Sequence, residues 1–157
     1  MSAFQLHALS AAHFAPLFAL SDAELMAQQM RRIKVEEEHS YPCRVSLTDA
    51  PIGSEVLLLH YPHHACDSPY RASGPIFVMR GAQQAQLAPD TVPDCLSRRL
   101  LSLRAYDASG SMQCADVTAG TDFAGVLHAW LARVEIAYVQ IHNARYGCFM
   151  CEARRLV

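Results

Sequence analysis

Residues 60–80, HYPHHACDSPYRASGPIFVMR, decide how this chain is read. The stretch joins two apolar, strand-like runs, Val56 to Leu59 and Ile76 to Met79, through a connection crowded with His63, His64, Cys66, Asp67, Tyr70, Arg71 and Ser73. Connections longer than about 12 residues without structure of their own are uncommon in compact domains and are usually functional or disordered. Aromatic, proline and reactive residues are too dense here for a flexible linker. Two buried strands on either side of a functional loop therefore set the expectation for the rest.

Working outward toward the N-terminus, Cys43, Val45 and Leu47 alternate with Arg44 and Ser46, which predicts a strand with the arginine on its polar side. Ser21 followed by Glu24 is a capping box, and Leu20 can staple against Leu25, so a helix starts there. Arg31 and Arg32 are expected at that helix's negative end. Phe4, Leu6 and Ala8 alternate as a short first strand does. The opening residues are apolar, but they lack a basic start and carry His7, His13 and Pro16, so they are read as part of the fold.

Toward the C-terminus, Leu100 to Tyr106 alternates, and Asp107-Ala-Ser-Gly110 is a hairpin loop into Ser111 to Val117. From about Thr121 to Val134, apolar residues recur at helical spacing (Phe123, Val126, Leu127, Trp130, Leu131, Val134), which puts His128 on the solvent side. Ala137 to His142 and Gly147 to Arg154 form a last strand pair around a tight turn. The expectation is a single α+β domain over residues 1–157, with about seven or eight strands in a mostly antiparallel or mixed sheet. Two or three helices pack on it, and a barrel-like closure is compatible with the pattern.

The composition, 52% hydrophobic and 18% charged, is apolar enough to suggest strands covered on both faces or a homo-oligomer interface. A formal charge of -2 gives no general pull toward nucleic acid or an anionic membrane, and no run is long and apolar enough to span a bilayer. The six cysteines are scattered rather than set in a disulfide framework, which fits reduced thiols in a cytoplasm.

Five segments, YPCRVSL at 41–47, GSEVLLL at 53–59, DSPYRASGPIFV at 67–78, LLSLRAYD at 100–107 and HNARYGCF at 142–149, carry a resemblance. With them the chain resembles an uncharacterised bacterial family known as domain of unknown function 1203. The resemblance implies one domain and no particular activity. The family pattern requires neither Cys66 nor a cysteine at the position of Cys151.

Three kinds of chemistry can be built from these residues. Arg44, Arg71 and Arg104 lie in or beside strand-like segments, with Ser73, Tyr70 and Tyr106 nearby. A guanidinium close to a core needs a partner, and its planar fork matches a carboxylate or phosphate. A sheet face gathering Arg44, Arg104, Tyr106, Gln140 and His142, with Arg71 closing it and Asn143 beside it, would bind a small anionic molecule. The plain alternative is a solvated face with ion pairs to Asp67, Asp107 or Glu55. Thiol chemistry at Cys148 with His142 as base is the catalytic version, set against a cysteine that is simply a small apolar side chain. A zinc-stabilised domain would use His60, His63 and Cys66 near His64, with Cys148-x-x-Cys151 able to complete the set only from a turn, because side chains three apart on a strand face opposite sides. A non-catalytic interaction or self-association module is the other alternative. No phosphate-binding glycine loop or nucleophile elbow appears, so no cofactor is assigned.

Overall fold

The computed structural model describes residues 2–157. The chain begins with β1 (Phe4–His7), α1 (Ala11–Phe14) with a following 3-10 turn (Ala15–Ala19), α2 (Asp22–Ala27) and β2 (Arg31–Lys34). It continues through β3 (Pro42–Cys43), β4 (Thr48–Asp49), β5 (Glu55–His64), β6 (Ala72–Met79) and α3 (Asp94–Ser97). Last come β7 (Leu100–Tyr106), β8 (Met112–Ala119), α4 (Phe123–Leu131), β9 (Tyr138–Asn143) and β10 (Phe149–Arg155).

The α+β expectation holds, but the ten strands form two open sheets of five rather than one. The first sheet runs β1-β10-β9-β7-β8 and is antiparallel throughout. The second runs β2-β5-β6-β3-β4 and is mixed, because β3 lies parallel to β6. Neither sheet closes into a barrel.

Each sheet has its own apolar cover. Phe123, Leu127 and Leu131 of α4 meet Leu101, Leu103, Val139, Ile141 and Ala153 on one face of the first sheet. Alternation along β7 and β9 then puts Arg104, Tyr106, Gln140 and His142 on the opposite face. On the second sheet, Leu57, Leu59, Ile76 and Val78 are covered by Phe14, Phe18 and Leu25. The capping box that starts α2 is complete: Glu24 N–H donates to Ser21 Oγ at 3.1 Å, and Ser21 N–H to Glu24 Oε2 at 3.0 Å.

Several sequence readings need correction. The long loop after Leu59 is mostly strand: β5 runs on to His64 and β6 starts at Ala72, leaving residues 65–71 as the connection. Tyr61 pairs with Gly74 and His64 with Ala72, with a register shift between them next to Pro62, which has no N–H to give. Arg32 does not cap the end of α2. It lies on β2 and reaches back to Asp22 and Glu55. His128 is half-buried because β1 and the loop at Asp90 flank it, and its Nδ1 meets Ser2 O at 2.8 Å. Val134 lies beyond α4 and is exposed.

The correction that matters most for the site concerns residues 43–47. Only Pro42 and Cys43 are strand, and residues 44–47 are a turn leading to β4, closed by Leu47 N–H to Cys43 O at 2.9 Å. Leu47 takes a left-handed φ of 51°, an uncommon conformation for a leucine. The turn therefore buries Arg44 together with Cys43, Val45 and Leu47 instead of alternating it outward.

Candidate functional site

Arg44 is completely buried. Its backbone N–H donates to Phe77 O and its carbonyl accepts from Leu9 N–H, so the turn is tied to β6 and to the chain after β1. Its guanidinium points at the start of β10: Nε donates to Phe149 O at 2.7 Å, Nη1 to Pro42 O, and Nη2 to Cys148 Sγ at 3.0 Å. No carboxylate is among these partners. Burial pulls the Arg44 guanidinium below its ordinary value, and the Cys148 sulfur opposes that pull.

Cys148 is half-buried and faces a hollow of about 610 Å³. Tyr41, Pro42, Leu58, Pro75, Ile76 and Phe77 of the second sheet's side form one wall, and Leu100, Asn143 and Arg145 of the first sheet's side form another. Arg98 and Arg99, just after α3, stand at a third side. Arg99 is fixed there by Asp49, with Nη2 to Oδ1 at 2.7 Å and Nη1 to Oδ2 at 3.1 Å, and by the carbonyls of Cys95 and His39. Arg98 reaches the same carboxylate only at 3.8 Å, and Arg145 is exposed. The hollow is thus lined by four arginines (44, 98, 99, 145) against one carboxylate, Glu37.

The β9–β10 turn shapes the entrance. Asn143 Oδ1 accepts from the N–H groups of Arg145 and Tyr146, an Asx-type turn. Gly147 follows at φ 80°, with its N–H to Asn143 O at 2.7 Å. A side chain at that φ would be strained, so glycine suits the step that leads into Cys148.

The residues expected at the site fall into three groups. Arg44, Asn143 and Cys148 share the hollow. Arg104, Tyr106 and His142 lie on the polar face of the first sheet, under the far end of β5, where His63 Nδ1 meets Gln140 Oε1 at 3.0 Å and stacks on Phe149. Tyr70, Arg71 and Ser73 belong to the 65–71 connection and the start of β6. The Tyr70 ring approaches Tyr106 at 6.4 Å, Ser73 Oγ bonds His60 Nε2 at 2.8 Å, and Arg71 is exposed. Of the ion-pair partners considered from sequence, Glu55 and Asp107 are engaged elsewhere. Glu55 holds Arg32 and Arg80, while Asp107 accepts from Ser109 and Ser111 of its own hairpin loop.

His142 and Cys148 make no hydrogen bond to each other. The cross-strand partner of His142 is Phe149, whose ring lies 5.8 Å away, and Cys148 next to it turns the other way toward Arg44. The His142 Nδ1 meets Gly147 O at 3.1 Å, and its Nε2 is buried without a partner. Burial first, and the Arg104 charge second, push its imidazole down to about 3, so it is neutral. A neutral imidazole with Nδ1 donating and Nε2 bare is an acceptor on the sheet face.

The histidines and cysteine of the β5 end diverge as well. His60 turns to Ser73 and His63 to Gln140, while His64 bridges Tyr70 O and Tyr138 OH with Cys66 at 3.3 Å. No group of three His, Cys, Asp or Glu side chains able to hold a metal occurs among the described residues. Nor is any described helix long and apolar enough to cross a membrane.

Sequence reasoning missed Arg98, Arg99 and Arg145. Arg145 stood in view within HNARYGCF, but the Asp49–Arg99 pair spans 50 residues and leaves no local pattern to find it by.

Compared with known proteins, residues 40–155 match the model of a family described as protein of unknown function, DUF1203. No curated protein and no solved structure matches the chain.

Proposed function

Because the chain belongs to the DUF1203 family, which brings no activity with it, function has to be read from the site, and we propose that the hollow beside Arg44 binds a small carboxylate- or phosphate-bearing molecule. The charge of its lining carries this reading: with Arg99 already paired to Asp49, Arg44, Arg98 and Arg145 stand against the single lining carboxylate of Glu37. A concave site of one sign, walled by apolar surface such as Leu58, Ile76 and Phe77, concentrates counter-ions. Arg44 has no surface open to solvent, so it contributes its field, and Arg145 and Arg98 at the edge make the contacts. Asn143 offers its amide beside them.

Isothermal titration with inorganic phosphate, phosphomonoesters and short dicarboxylates tests it. At least one should bind the wild type, and Arg145→Ala and Arg98→Ala should each weaken that binding about tenfold, the loss expected of one charge-assisted hydrogen bond. A panel that binds neither wild type nor variants, or binds all of them equally, would overturn the reading.

A further inference from the structure

We propose that Cys148 is the nucleophile of this hollow, with Arg44 as its fixed counter-charge, and that it attacks small electrophiles carrying a carboxylate or phosphate. The substrate class rests on the anion reading above; the nucleophile rests on separate geometry. Arg44 is a wholly buried cation whose hydrogen bonds go to two backbone carbonyls and one sulfur, with the Phe77 ring 5.9 Å from its guanidinium. A buried charge without an opposite charge is costly. Cys148 is the one ionisable side chain to which this guanidinium donates. Sulfur is the most nucleophilic side-chain atom lining the hollow, and Arg44 Nη2 at 3.0 Å fixes its position there. The same residue is half-buried and lines the hollow together with the arginines of the edge.

The other five cysteines lack this combination. Cys95 donates to Leu47 O in the core, and burial pushes its thiol up to about 12. Cys151 is fully buried and likewise pushed up. Cys43 is buried, with its sulfur facing the N–H groups of Ser46 and Met79. Cys66 lies against His64 and Gly110, away from the hollow. Cys114 is the useful control. It lies on the edge strand β8, where Arg133 approaches it at 3.6 Å, and it does not line the hollow.

The step needs no oxidant and no histidine. The thiol proton leaves to solvent, the sulfur lone pair forms the S–C bond, and the leaving group departs with the electron pair of the bond it breaks. The anionic part of the electrophile would rest against Arg145 and Arg98.

Alkylation of the intact protein by iodoacetate and by iodoacetamide, with all six cysteines followed by peptide mass spectrometry, tests the proposal. In each case an S–CH2 bond forms and iodide leaves. Iodoacetamide should label Cys148 ahead of Cys66 and Cys114. The iodoacetate-to-iodoacetamide rate ratio at Cys148 should exceed that at Cys114 by about tenfold or more. In the Arg98→Ala, Arg145→Ala double variant the ratio should fall to that of Cys114. Arg44→Met should slow both reagents at Cys148; if that variant does not fold, the comparison with Cys66 and Cys114 in the wild type still decides. Cys148 left unlabelled by iodoacetamide while Cys114 reacts would overturn the nucleophile, whatever anions bind. Cys148 labelled first but without preference for iodoacetate would overturn the anionic substrate class and leave the nucleophile standing.

Discussion

His142 shows what one buried side chain does to the protein's response to acid. Its imidazole is held down to about 3 in the folded state, against an ordinary value of 6.5. Between those two values the unfolded chain binds a proton that the folded chain refuses. The stability tied to neutral His142 is therefore complete above 6.5 and is lost progressively as pH falls toward 3. His63, also pushed down by burial, acts in the same sense. The slope belonging to a single such group is about 1.4 kcal/mol per pH unit. Urea midpoints measured from pH 7 to pH 4 should fall steeply for the wild type and less steeply for His142→Asn, which has no proton to take up. Equal slopes for the two would show that His142 is not held neutral by the fold.

At the scale of elements, the hollow depends on where α3 sits, because Arg98 and Arg99 follow directly from it. Gly120, between β8 and α4, is pressed onto that segment. Its N–H donates to Arg99 O at 2.8 Å, and a Cβ built on it would lie 1.9 Å from Leu96 O. Backbone on both sides cannot yield cheaply, so Gly120→Ala should lower the unfolding free energy by about 2 kcal/mol or more. Displacing α3 should also weaken any anion bound at Arg98. Denaturant unfolding checks the first effect, and titration with the best anion checks the second.

Elements were also where the sequence was most and least readable. The capping box of α2, the β7–β8 hairpin around Asp107 and the β9–β10 pair all carry local signatures, and each formed where expected. Residues 43–47 misled because buried Cys43, Val45 and Leu47 repeat every second position, the period of a strand. What makes them a turn is the left-handed backbone at Leu47, and leucine does not advertise that conformation as glycine or asparagine would. The hidden turn buried Arg44, and so the arginines expected on one face separated. Arg104 stayed with the sheet face, and Arg44 went to the hollow with Arg98, Arg99 and Arg145. Only Asn143 and Cys148, both fixed by the last hairpin, were foreseen beside it.

At the scale of the whole molecule, two sheets are each stabilised by their own helices, α4 on one and the segment from Phe14 to Leu25 on the other. Arg44 joins them, with its backbone on β6 and its guanidinium on the chain entering β10, as do His63 and His64 of β5 through Gln140 and Tyr138 of β9. The hollow lies along the same seam, with Leu58 and Phe77 from one sheet and Leu100 and Asn143 from the other. An occupant would therefore act as a rivet across the seam, and heat resistance should report it. At about 100 times its dissociation constant a ligand adds about 2.7 kcal/mol, which for a chain of 157 residues raises the melting temperature by about 5–10 °C. A thermal-shift screen of small acids would then reveal the occupant before any reaction is known, and Arg145→Ala, binding about tenfold more weakly, should cut the shift to about half.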